Sequence, residues 1–191
     1  MGVVYEAFDD HRRMPVALKT IRDRKAENLV RFKREFRALQ DLHHDNLVTL
    51  GELVCDEGLW FFTMELVDGA DFVTHVRRGA PPRSPPPDME LLRRAVGQLT
   101  EGLAALHDAH KVHRDIKPSN VLVTRDERVV LLDFGVALDL DDFDAPQEAG
   151  EVVGTAAYMA PEQVLGEAAG PQAGVYSVGV ILYEALTGVL P

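Results

Sequence analysis

The sequence predicts an α+β fold built as two lobes with a cleft between them. Two observations carry this. The first third reads as short β-strands around one helix, and the remainder reads as helices with a few short strands. The break falls at Asp68-Gly69, where the strand pattern stops. A strand-rich lobe joined to a helix-rich one leaves a crevice of the kind in which ligands bind.

Each element has a local reason. Residues 3–7 and 15–21 read as two short strands joined by a polar turn at 9–13, which predicts a hairpin. Residues 28–42 place Leu29, Phe32, Phe36 and Leu39 at steps of three and four, which predicts a helix. Residues 46–53 and 59–66 read as strands across the turn Cys55-Asp56-Glu57-Gly58. Residues 71–77 predict a short helix. Residues 79–87 hold five prolines and predict a stiff solvated loop, a spacer or a PxxP ligand. Asp88 is placed to cap a helix running to about 110, with Leu92, Val96, Leu99, Leu103 and Leu106 on one stripe. Strands are expected at 121–124 and 129–132, and an acidic loop without periodicity at 138–153. A short helix is expected from Pro161 and a helix at 175–186, apolar nearly all round.

Composition bounds the function. Apolar residues make up 46% of the 191, as in a globular protein. No run of about 18 apolar residues predicts a membrane span, and no basic segment followed by an apolar one predicts a signal peptide. The lone Cys55 excludes an internal disulfide and fits a reducing, cytoplasmic setting. The formal net charge is −11, and it is uneven: after Arg128 there is no Lys or Arg but there are ten carboxylates. That acidic surface argues against nucleic-acid binding and is compatible with a basic peptide.

The chemistry concentrates in His113-Arg114-Asp115-Ile116-Lys117-Pro118-Ser119-Asn120, between the long helix and the 121–124 strand. Phosphoryl transfer needs a carboxylate to orient the attacking hydroxyl, a cation for the moving phosphoryl group, and oxygen ligands for a metal. Asp115, Lys117 and Asn120 supply those three. Asp133 follows Asp115 by 18 residues, across two strands and a turn, so both carboxylates can reach one cleft. Lys19, at the end of a strand, and Glu35, in the following helix, mean little alone and become informative beside these.

Taken together, the motifs Val16-Ala17-Leu18-Lys19, His113 through Asn120, Asp133-Phe134-Gly135, Gly154-Thr155-Ala156-Ala157-Tyr158, Ala160-Pro161-Glu162 and Tyr176-Ser177-Val178-Gly179 resemble the Hanks-type serine/threonine protein kinases, bacterial branch. The resemblance implies ATP as phosphate donor, Mg²⁺ as cofactor and Ser or Thr hydroxyls of proteins as acceptors. It implies that Lys19 holds the α- and β-phosphates and pairs with Glu35. Asp115 would orient the hydroxyl, Lys117 would steady the γ-phosphate, and Asn120 and Asp133 would bind the metal. Gly2 would belong to the loop over the phosphates. Val4, Ala17 and Leu122 would sandwich the adenine, Met64 would stand behind it, and the backbone of Glu65 and Val67 would bond its edge. Asp71 would reach the ribose. Thr155 would bond Asp115 and Lys117.

The resemblance also implies that residues 1–67 form the small lobe without its first strand, and 68–191 the large lobe without its last helices. Met1-Gly2-Val3-Val4 matches only the end of the family's glycine-rich loop. Gly174 stands where the family has an aspartate that ties down the catalytic loop. Glu162 has no later arginine to pair with. Between Gly135 and Gly154 there is no Ser, Thr or Tyr, but there are six carboxylates: Asp139, Asp141, Asp142, Asp144, Glu148 and Glu151. These departures leave a catalytically impaired kinase-like binding module, or a non-functional fragment, as alternatives to an active enzyme.

Overall fold

A computed structural model describes residues 2–21, 26–82, 84, 87–133, 138–139 and 156–191. Strands β1 (Gly2–Asp9) and β2 (Met14–Ile21) form an antiparallel hairpin, with Val4 opposite Lys19 and Asp9 opposite Met14. Asp9 makes the turn by accepting from the backbone N–H groups of His11 and Arg12, each at 2.9 Å. Helix α1 (Ala26–Leu39) lies against the sheet. Its Phe32 and Phe36 rings sit 4.9 and 5.6 Å from the ring of Phe62. Phe62 belongs to β4 (Leu59–Glu65), which pairs with β3 (Leu50–Asp56) across a tight turn. Both turn residues, Glu57 and Gly58, have positive φ. The sheet order is β1-β2-β4-β3.

The strand expected from residue 46 begins only at Leu50. Residues 46–49 leave the small sheet and dock on the large lobe instead. The Leu131 N–H donates to Asn46 O at 2.9 Å, and the Val48 N–H donates to Leu131 O at 3.1 Å. Burial decides this: Leu47 and Val48 are each 3% exposed, inside the core that also holds Leu99, Val129 and Leu131.

The large lobe opens with β5 (Gly69–Asp71) and α2 (Phe72–Val76). The long α3 (Met89–Asp108) is capped by Asp88, which accepts from the Glu90 and Leu91 N–H groups. Of the expected stripe, Leu92, Leu99, Leu103 and Leu106 are buried and Val96 is half-buried. Then come β6 (Lys111–Val112), a 3-10 turn (Pro118–Asn120), β7 (Val121–Thr124) and β8 (Val129–Leu131). β5, β7 and β8 form one antiparallel sheet. Within the expected 138–153 loop, β9 (Leu138–Asp139) instead pairs with β6. The loop's remaining residues, with five of its six carboxylates, lie outside the described residues.

A second 3-10 turn (Ala156–Tyr158) precedes α4 (Pro161–Val164) and α5 (Pro171–Thr187). α5 starts four residues before the expected 175, because Pro171 sits at its first turn, where the missing N–H costs nothing. It ends at Gly188, whose φ of 77° is left-handed. Val178, Ile181 and Ala185 bury one face, while Val175, Tyr176, Tyr183 and Leu186 stay exposed. The helix is therefore buried along one side only, despite its apolar composition.

Candidate active site

Between β6 and the first 3-10 turn the chain must reverse and present polar groups. It does so through Arg114, whose φ of 62° is unusual for a side chain of that size. His113 is fully buried. Its Nδ1 accepts from the Asp115 N–H at 3.2 Å, and its Nε2–H donates to Leu132 O at 2.8 Å. These two bonds select the neutral Nε2–H tautomer. Burial pushes the His113 pKa below the usual range, while the nearby Asp115 and Asp133 carboxylates pull the other way. The ring thus braces the 113–120 loop against Leu132, the residue preceding Asp133.

Asp115 is held on one oxygen. Its Oδ2 accepts from Lys117 Nζ at 2.8 Å and from Asn120 Nδ2 at 3.0 Å. Asn120 Nδ2 also reaches Asp115 O at 2.8 Å, so side chain and backbone are fixed together. The other carboxylate oxygen, Oδ1, is buried without a hydrogen-bond partner among the described residues. Such an atom is costly unless a ligand completes it.

Lys19 and Asp133 meet across the two lobes, with Lys19 Nζ 2.5 Å from Asp133 Oδ1. Lys19 is only 8% exposed and lies 5.8 Å from the Phe62 ring centre. The side chain of Glu35, its expected partner, lies outside the described residues, as do Phe134-Gly135 and Gly154-Thr155.

The residues expected around adenine lie on neighbouring strands. Val4 is opposite Lys19 on β1 and is exposed. Ala17 is buried opposite Met64. Glu65 forms an ion pair with Arg128, and Val67 packs on the larger core. Leu122 is opposite Asp71 across β7 and β5. The Asp71 carboxylate caps α2, accepting from the Thr74 N–H at 2.9 Å. Gly2 begins β1 opposite Ile21.

A cavity of about 500 Å³ adjoins Lys117, with Asp71, Ser119, Tyr158 and Glu184 on its wall. There the Tyr158 hydroxyl donates to Glu184 Oε2 at 2.6 Å. Burial and that carboxylate push the phenol pKa upward.

Two residues without a role in the sequence reading prove important for the loop. His113 stood inside the octet, but its bracing to Leu132 depends on folding. Gln163 carried no signal beyond following Ala-Pro-Glu, yet its amide donates to Arg114 O at 2.9 Å. Among the described residues no helix is long and apolar enough to cross a membrane.

The family profile described as "Protein kinase domain" matches residues 1–191. Serine/threonine-protein kinase PknL of Mycobacterium tuberculosis is 40% identical over 194 residues, covering 100% of this chain and 47% of the relative. PknE of the same organism is 36% identical over 194 residues, covering all of this chain and 33% of the relative. PknA is 37% identical over 202 residues, again covering all of this chain and 45% of the relative. The chain therefore spans half or less of the length of these curated relatives. With its profile match running from end to end, the chain belongs to the protein kinase domain family.

Proposed function

We propose that this chain is the catalytic part of a serine/threonine protein kinase that moves the γ-phosphate of ATP to Ser or Thr hydroxyls of proteins. The observation that carries this is the asymmetric Asp115 carboxylate: Lys117 and Asn120 hold one oxygen, and the buried Oδ1 is left as an acceptor. A substrate hydroxyl donating to Oδ1 is oriented for attack and can pass its proton there. Lys117 Nζ, two residues on, steadies the γ-phosphate. Lys19 takes the α- and β-phosphates, with Gly2 in the loop above them.

Lys117 and Gly154-Thr155 favour Ser or Thr over Tyr as acceptor, and the relatives PknL, PknE and PknA are named serine/threonine-protein kinases. Val4, Ala17, Met64 and Leu122 surround the adenine, the Glu65 and Val67 backbone bonds its edge, and Asp71 reaches the ribose. On this reading residues 1–67 are the small lobe and 68–191 the large one. The single exposed cysteine and the use of ATP fit the cytoplasm.

Asn120 and Asp133 suit Mg²⁺. One amide oxygen and one carboxylate are hard donors, and the Asp133 side chain is partly open to solvent, which leaves room for water and phosphate ligands. Bound there, Mg²⁺ supplies charge neutralisation for the phosphate oxygens. The retained set of Lys19, Asp115, Lys117, Asn120 and Asp133 favours an enzyme over a binding module.

The test is transfer from γ-labelled ATP with Mg²⁺ to Ser-, Thr- and Tyr-containing peptides by the full-length protein, followed by phosphoamino-acid analysis. Label on Ser or Thr, lost in Asp115→Asn, is expected. A folded protein that binds nucleotide but transfers nothing, or that labels Tyr alone, overturns the reading.

A further inference from the structure

We propose that Gln163 is a positioning residue for Asp115, acting through the peptide group that joins Arg114 to Asp115. The inference rests on the phosphoryl-transfer reading above. The argument starts at one peptide group. Arg114 C=O and Asp115 N–H belong to the same plane, since they share the bond joining the two residues. The N–H end donates to His113 Nδ1 at 3.2 Å, and the C=O end accepts from Gln163 Nε2 at 2.9 Å. Both ends of that plane are therefore held by buried side chains. The plane also follows the left-handed Arg114, a conformation that relaxes unless its surroundings hold it. On the far side of Asp115, Asn120 Nδ2 holds the next carbonyl at 2.8 Å.

Gln163 is built for this contact. It is 4% exposed, and while its Nε2 donates to Arg114 O, its Oε1 accepts from the Ala160 N–H at 3.1 Å. A primary amide offers a donor and an acceptor at one carbon, so it can bridge two backbone groups of opposite polarity. Burying such a group is costly unless both halves are satisfied, and here both are.

The α5 side of the loop is apolar where it meets Ile116. A side-chain carbon at Gly174 would lie 3.1 Å from a Leu103 methyl and 3.3 Å from an Ile116 methyl, so the wall there is apolar. On that helix, Ser177 Oγ donates to Tyr158 O and Ala173 O.

The test uses two variants of the full-length protein. Gln163→Met keeps length and shape but removes both bonds. Gln163→Glu keeps the acceptor for the Ala160 N–H and sets an oxygen against Arg114 O. A displacement of about 1 Å at a reacting group costs up to roughly 100-fold in rate. The expected result is a fall in kcat of about 10- to 100-fold per titrated active site in both variants. The Glu variant should be at least as impaired as the Met variant, with KM for ATP nearly unchanged. A merely structural role would lower the melting temperature and the active fraction but leave kcat per titrated site at the parental value, and that outcome overturns the proposal. Should the Met variant not fold, the Glu variant decides alone. Hydrogen exchange over residues 113–116 gives a readout without activity. Faster exchange in the variants supports the tether, and unchanged protection overturns it even if the parent transfers no phosphate, so the two readings fail separately.

Discussion

On the phosphoryl-transfer reading proposed above, replacing Asp115 by Asn isolates the base from its frame. Two donors, Lys117 Nζ at 2.8 Å and Asn120 Nδ2 at 3.0 Å, converge on Oδ2. The new amide must therefore turn its oxygen toward them, because its NH₂ group cannot accept. That puts the NH₂ where Oδ1 was, at the position that on this reading accepts from the substrate hydroxyl. The loop stays braced by the His113 and Asn120 contacts to the Asp115 backbone, and only proton acceptance is lost. A positioned general base is worth about 10²- to 10⁴-fold, or roughly 3–5 kcal/mol of barrier. Stability changes less. Two charge-assisted bonds become weaker ones, at about 1–2 kcal/mol in total. For a chain of this size that is roughly 2–8 °C in melting temperature. Single-turnover transfer at saturating ATP, scaled to nucleotide-binding sites, measures the first effect, and a thermal melt measures the second. Turnover within about threefold of the parent, against the 10²-fold minimum expected, would refute the reasoning. So would a loss of transfer matched by an equal loss of ATP binding.

Asp133→Asn should weaken Mg²⁺-dependent nucleotide binding as well as transfer, which titration with a fluorescent nucleotide with and without the metal will show. Asn46→Ala removes the buried bonds to Val129 O and Gln98 Oε1. It should destabilise the protein by about 2–3 kcal/mol in urea unfolding with little change in slope. Loss of hydration holds the buried His113 and the part-buried His107 below the usual histidine range, near 6.5. The unfolded chain therefore binds more protons below that pH, so stability is full above it and falls as pH drops toward the lower folded values. The melting temperature should decline from about pH 7 to pH 5.5, and less steeply once the two histidines are replaced by Gln in turn. A decline of unchanged slope would count against it. With no hydroxyl between Gly135 and Gly154, phosphatase treatment should leave activity nearly unchanged, whereas converting the six loop carboxylates to amides should lower it, most clearly at low salt.

Much of this protein was legible before any folding. The hairpins, α1 and α3 followed from local periodicity and caps, because each depends on residues within a turn or two of one another. The octet was legible for the same reason: Asp115, Lys117 and Asn120 are near neighbours, and the loop that joins them also brings them together. Tertiary structure decided what lay between distant segments. Residues 46–49 looked like strand because Leu47 and Val48 are apolar, but which core would bury them depended on β8, more than 80 residues away. The one-sided burial of α5 depended on α2 and the 113–120 loop packed against it, not on its own apolar composition. The Lys19–Asp133 ion pair joins residues 114 apart, and the contact from Gln163 to Arg114 spans 49. A glutamine after Ala-Pro-Glu carries no local signal of its target. Its role appears only when the fold sets α4 behind the strained peptide of Arg114, where a buried carbonyl must find a donor.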